Sequence, residues 1–171
     1  MPAPKLATRQ SPSFQLSLRI KHPSIDPADI SRELGIEPEH SFRAGQPRHS
    51  KSGLVPRAVH TESYWLAALN PTRFGNLPYA EPLAEPLTLA ITQKHIDAAV
   101  ARNLTGALGL CAARFSGVHA ALLHTIHSEG GEISLLVTLS SNAVSTFSLP
   151  PQVSRMFAKL GIMLEFEITN D

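Results

Sequence analysis

The sequence predicts an α+β domain in which a mainly antiparallel sheet carries its helices on one face, and three observations lead there. Phe14, Leu16, Leu18 and Ile20 alternate with Gln15, Ser17, Arg19 and Lys21, and the same period returns over residues 133–139 and 162–168. Such alternation marks strands with one dry and one wet face. A helical phrase also occurs twice: Asp26-Pro27 leads to Leu34-Gly35-Ile36, and Pro151 leads to Leu160-Gly161-Ile162. Proline suits a first helical turn because its missing N–H would be unpaired there, and glycine ends a helix in the left-handed conformation. Between the two copies, Leu108, Cys111, Phe115, Val118, Leu122 and Ile126 recur every three or four residues, the stripe of an amphipathic helix.

In chain order, residues 14–20 form the first strand. Asp26 then caps a helix, with Asp29 three residues on as a carboxylate version of the reciprocal cap, and Ile30 and Leu34 pointing inward. From Glu37 to His60 the periodicity dissolves among Gly45, Pro47, Gly53 and Pro56, which predicts a loop. Residues 63–69 are apolar on both faces and read as an interior strand. Pro71, Pro78, Pro82 and Pro86 make residues 70–86 an extended linker, and Thr92 caps a helix to about Asn103. The longer helix beyond Gly106 has weak points at Gly109 and Gly117 and stops at Gly130-Gly131. A strand over residues 133–139, a turn at Ser140-Ser141-Asn142, a short extended piece at residues 144–148, the second proline-headed helix and a last strand complete the chain. The doubled phrase fits a ferredoxin-like split β-α-β pair with the helices of residues 92–128 inserted between its halves.

At 171 residues the chain is long enough for one domain, residues 14–171, behind a loose N-terminal tail of residues 1–13, with long loops at 37–60 and 70–90. The net charge of +1 favours no partner class, but residues 1–60 hold nine Lys and Arg against five Asp and Glu. Cys111 is the single cysteine, so no disulfide forms within the chain and no multi-cysteine metal site exists. Neither a signal-peptide run nor a membrane-length apolar stretch is present; the expectation is a soluble cytoplasmic protein, monomeric or homodimeric.

The strand of residues 14–20, the Asp26-Pro27 helix ending Leu34-Gly35-Ile36, Arg43-Ala44-Gly45, Tyr64-Trp65 on the next strand, and Phe147-Ser148-Leu149-Pro150 before the helix ending Leu160-Gly161-Ile162 occur in one order. In that order and spacing they resemble the bacterial domain-of-unknown-function family 4279 over residues 14–169. The resemblance implies a small bacterial protein with no assigned reaction, a companion to another protein, and by analogy an immunity-type role.

Candidate chemistry is sparse. His119, His124 and His127 fall in one helix, but at 100° per residue the first two lie about 140° apart, so they read as helix surface and not as a metal site. Cys111 shares the buried stripe and reads as a small core residue. Glu165 and Glu167 share the wet strand face opposite Arg19 and read as solubilising. No phosphate loop, nucleophile elbow, zinc-protease helix or dinucleotide fingerprint occurs, and no catalytic residue, metal ligand or cofactor is assigned. Residues 40–60 gather Arg43, Arg48, Lys51, Arg57 and His60 ahead of Tyr64 and Trp65. Arginine forks suit carboxylates, while a charge of +1 argues against nucleic acid. The leading expectation is therefore a non-catalytic binding protein that meets an acidic protein partner through those seven residues. The alternative is a small-molecule-binding or hydrolytic enzyme with its pocket between loops 40–60 and 70–86.

Overall fold

The computed structural model describes residues 13–50, 53–70, 104–117, 119–140 and 149–169. In chain order it contains β1 (Ser13–His22), α1 (Pro27–Leu34), β2 (His40–Phe42), β3 (Pro47–Ser50), β4 (Gly53–Val59), β5 (Ser63–Leu69), α2 (Leu104–Ser116), α3 (Ala120–Ser128), β6 (Glu132–Ser140), α4 (Pro151–Lys159) and β7 (Ile162–Thr169). Expectations for residues 1–12, 71–103 and 141–148, including the proline linker, the Thr92 helix and the extended piece at 144–148, lie outside the described residues.

Five strands form one sheet in the order β2-β5-β1-β6-β7, and β3-β4 form a second, two-stranded one. Every neighbouring pair is antiparallel except β6 and β7, which run parallel. The sheet is thus mainly antiparallel, as alternation in three strands predicts. Two connections each skip a strand. The first passes from β1 through α1 to β2 with β5 between them, and the second passes from β5 to β6 with β1 between them, carrying α2 and α3. β7, joined to the edge of β6 through α4, is a fifth member beyond the four strands of a ferredoxin-like sheet.

Leu16, Leu18 and Ile20 of β1, Trp65, Ala67 and Leu69 of β5, and Ile133, Leu135 and Val137 of β6 line one face and are buried. Ile30 and Leu34 of α1, Leu108, Cys111 and Phe115 of α2, Leu123 and Ile126 of α3, and Val153 and Phe157 of α4 pack with them in a single core. Both proline-headed helices stop as the sequence predicts, with Gly35 at φ 63° and Gly161 at φ 68°, a conformation only glycine adopts cheaply. Asp26 caps α1 by accepting from the Ala28 N–H at 2.9 Å. Asp29 makes no reciprocal cap; its carboxylate meets Arg32 at 2.7 Å.

Two expectations change. Residues 37–60 are not a loop: β2, β3 and β4 occupy most of them. The amphipathic run after Gly106 breaks after Ser116, and α3 restarts with Leu123 and Ile126 buried and Leu122 half-buried. Gly117 makes the break cheap. Among the described residues no single helix is long and apolar enough to cross a membrane.

The opposite sheet face carries Arg19, Lys21, Tyr64, Leu66, Leu136, Met163, Glu165 and Glu167. Arg19 reaches over β6 to pair with Glu165 on β7 and donates to Ser134 Oγ at 3.3 Å, which buries Ser134 on an otherwise wet face. Ser134 and Arg19 hold the Glu165 carboxyl below its usual range. On the core side, His22 is buried, and its Nδ1 accepts from the Ser24 and Ile25 N–H groups at 3.1 and 2.8 Å. With Nδ1 accepting, the neutral ring carries its proton on Nε2, which lies 3.3 Å from Glu129 Oε2 without an aligned hydrogen bond.

Candidate functional site

The basic stretch folds as an arm on the sheet edge. The path through β2 and β3 runs alongside the path through β4 and β5, and the two are tied at the root: the Gly45 N–H donates to the His60 carbonyl at 2.8 Å and the His60 N–H to the Gln46 carbonyl at 2.9 Å. The Arg43 N–H donates to Gln46 Oε1 at 2.9 Å and the Ala44 N–H to the buried Ser63 Oγ at 3.0 Å. These bonds satisfy the turn's main chain and fix where the arm leaves the sheet.

Aromatic rings stack at this root. Phe42 stacks on His60 with ring centroids 3.7 Å apart and on Tyr64 at 5.1 Å. The register pairs Phe42 with Tyr64, so both rings fall on the open sheet face. Stacked pairs of this kind contribute about 0.5–1.5 kcal/mol beyond the area they bury.

The seven expected site residues do not all converge. His60 and Tyr64 meet through Phe42 at the root, Arg43 turns to Asp26 beside α1, and Arg48 is exposed on β3. Arg57 lies in β4, its side chain not described, and Lys51 lies outside the described residues. Trp65 belongs elsewhere: it is fully buried, and its indole N–H donates to Ser31 Oγ on α1 at 3.0 Å. Trp65 therefore fastens α1 to the sheet and presents no surface to a partner.

Sequence reasoning missed three contributors. Asp26 both caps α1 and pairs through Oδ2 with Arg43 Nη1 at 3.0 Å. Its role as a cap was visible; its reach across 17 positions was not. Phe42 supplies the shared ring of the stack but sits in a three-residue strand too short to show alternation. An open cleft of about 590 Å³ lies between residues 26–32, the Asp26 cap and most of α1, and residues 37–46. Ala28, Ser31 and Ser41 line it with Pro27 and Pro38, and Arg43 and Gln46 close one side. The enzyme alternative places its pocket between residues 40–60 and 70–86, and residues 71–86 lie outside the described residues.

Electrostatically the arm is basic with one compensated charge. Residues 40–50 contain His40, Arg43, Arg48 and His49 and no acid. The Arg43 and Asp26 side chains remain 55% and 37% exposed, and pairs so exposed contribute about 0–1 kcal/mol, so Arg43 can change partners at little cost.

The remaining candidates sit apart from the arm. The Cys111 thiol is buried and pushed up to about 12 by desolvation, which keeps it protonated and unreactive. Burial, then the Arg114 charge, lowers the imidazole pKa of His119; His124 and His127 are exposed on α3. Arg114 itself donates to the Leu34 carbonyl at 2.9 Å, joining α2 to the end of α1.

Residues 12–110 match a protein family described as Domain of unknown function (DUF4279). That span runs from the start of β1 into α2 and takes in the arm and the cleft, while the second proline-headed helix lies beyond it. No curated protein and no solved structure matches the chain.

Proposed function

The chain belongs to the family of the domain of unknown function DUF4279, and from that premise and the geometry of the arm we propose that it is a non-catalytic module that binds an acidic protein partner. One observation carries the reading: the edge of residues 40–50 presents Arg43 and Arg48 with no acidic residue among them, on an arm whose root is fixed by hydrogen bonds and stacked rings. A rigid basic edge loses little entropy on binding and meets carboxylates with the forked geometry of arginine. The inert Cys111 thiol agrees with a non-catalytic role. In the immunity-type form of this reading, the partner is an acidic toxin or enzyme in the same bacterial cytoplasm, and the module acts by covering its surface.

The test is charge reversal at both arginines, Arg43→Glu with Arg48→Glu, in protein whose circular dichroism matches the wild type. The acidic partner retained from native lysate by the wild type should be lost from the variant. Retention of the same partner by both proteins overturns the reading.

A further inference from the structure

We propose that the outer edge of β2 is a docking strand, to which an extended acidic segment of the partner adds in β geometry with alternate side chains seated in the cleft against α1. The inference rests on the acidic-partner reading above and adds the mode of recognition. β2 is the last strand on its side of the sheet, so the main-chain N–H and C=O groups on its outer edge have no strand partner among the described residues. Such an edge is a template for another chain.

The cleft supplies what a bare edge lacks. Successive side chains of an added strand point to opposite faces, and the cleft offers one of those faces a floor of Ala28, Ser31 and Ser41 with Pro27 and Pro38 beside it. These groups leave room for small apolar side chains. Asp26 and Glu37 border the cleft together with Arg32 and Arg43, so its walls carry both signs of charge. Carboxylates of the segment meet Arg43 at the cleft wall, where they replace Asp26 as its partner, and Arg48 on β3 beyond the turn. The expected segment alternates small apolar residues with Asp or Glu.

Charge also selects between the two edges of the sheet. β7 forms the other edge and carries Glu167, which opposes an acidic strand there, while Glu165 is already paired with Arg19. At about 3.3 Å per residue, a six-residue segment spans about 20 Å, enough to lie along β2 and pass the turn at Arg43.

The test uses fluorescence anisotropy with the whole protein and a dye-labelled eight-residue peptide of alternating alanine and glutamate. Comparison peptides carry N-methyl groups on every second backbone nitrogen, or lysine in place of glutamate. Ala28→Trp, at an exposed position of α1, fills the cleft without touching the arm. Binding of the parent peptide should weaken at least tenfold on N-methylation, on Ala28→Trp and on lysine replacement. Equal binding of the parent and N-methylated peptides, still lost with Arg43→Glu and Arg48→Glu, overturns strand addition and leaves the acidic-partner reading standing. Binding unaffected by Ala28→Trp likewise overturns the seating in the cleft. Failure of the parent peptide to bind, by protein that still retains its acidic partner, overturns strand addition alone; failure of both overturns the two readings together.

Discussion

Two glycine-to-alanine substitutions should change stability in opposite directions. Gly131 is buried between the end of α3 and the start of β6, and its N–H donates to the Ile126 carbonyl at 2.8 Å. A Cβ placed there would lie 2.7 Å from Ile126 Cγ2, 2.8 Å from His22 Cδ2 and 2.8 Å from the Ile126 carbonyl oxygen. None of the three can yield freely: Ile126 is fully buried, the His22 ring is held by two N–H donors, and the carbonyl is main chain. Overpacking costs about 1–3 kcal/mol, and each hydrogen bond to His22 that breaks adds about 1 kcal/mol. The entropy gained by replacing glycine returns about 0.4–1 kcal/mol. Gly131→Ala should therefore destabilise by about 2–3 kcal/mol. At Gly109, within α2, an added Cβ meets nothing within 4 Å, and alanine should stabilise the helix by about 1 kcal/mol. Urea unfolding followed by fluorescence of the single tryptophan, Trp65, gives both midpoints, with unchanged slopes as the sign that only stability has moved. A Gly131→Ala midpoint at or above wild type, or a Gly109→Ala midpoint below it, would refute this reasoning.

Two further perturbations address the core. Ser31→Ala removes the acceptor of the buried Trp65 N–H; an unsatisfied donor costs about 1–3 kcal/mol against about 0.5 kcal/mol of helix propensity regained, so urea unfolding should show a net loss of about 0.5–2.5 kcal/mol. A neutral result would remove Trp65 from its role as the fastening of α1. The Cys111 thiol rises from 9.0 to about 12 on folding. Below pH 9 both states hold the proton; between pH 9 and 12 only the unfolded chain releases it, so stability is lost as pH rises through that window. The difference in unfolding free energy between wild type and Cys111→Ala should slope by up to about 1.4 kcal/mol per pH unit there. A flat difference, or labelling of the native thiol as rapid as in denaturant, would contradict its burial.

How far each element was legible depended on whether burial or local hydrogen bonding makes it. β1, β6 and β7 pack one face each against the core, so their apolar residues alternate and can be read directly, while β5 shows itself as a short run apolar on both faces. β3 and β4 are held by each other and by the ties at Gly45 and His60, with Pro47 and Pro56 inside them; their residues show no alternation, and composition alone reads as loop. The helix break after Ser116 was visible as a weak point at Gly117, but the shift of the inward face from Leu122 to Leu123 depends on how α3 meets β6. At the site, the basic character of the arm follows from its sequence. The burial of Trp65 does not, because its hydrogen-bond partner, Ser31, lies 34 positions away. The cleft was equally hidden, since its walls come from a helix and a strand that look unrelated until the first crossover brings them together.

The central position of β1 bears on how a ribosome delivers this protein. β1 is the first described strand to be synthesised, and it pairs on one side with β6, which begins only at Glu132. A nascent chain released as far as residue 110 would hold β5 but not β6, leaving the ten-residue edge of β1 unpaired and Leu16, Leu18 and Ile20 without half of their cover. At about 5–20 residues per second, that edge waits several seconds for its partner, open to any other strand nearby. A fragment cut at residue 110, where the family match ends, would keep the same open edge permanently, so the span that defines the family is not by itself a unit that completes its sheet.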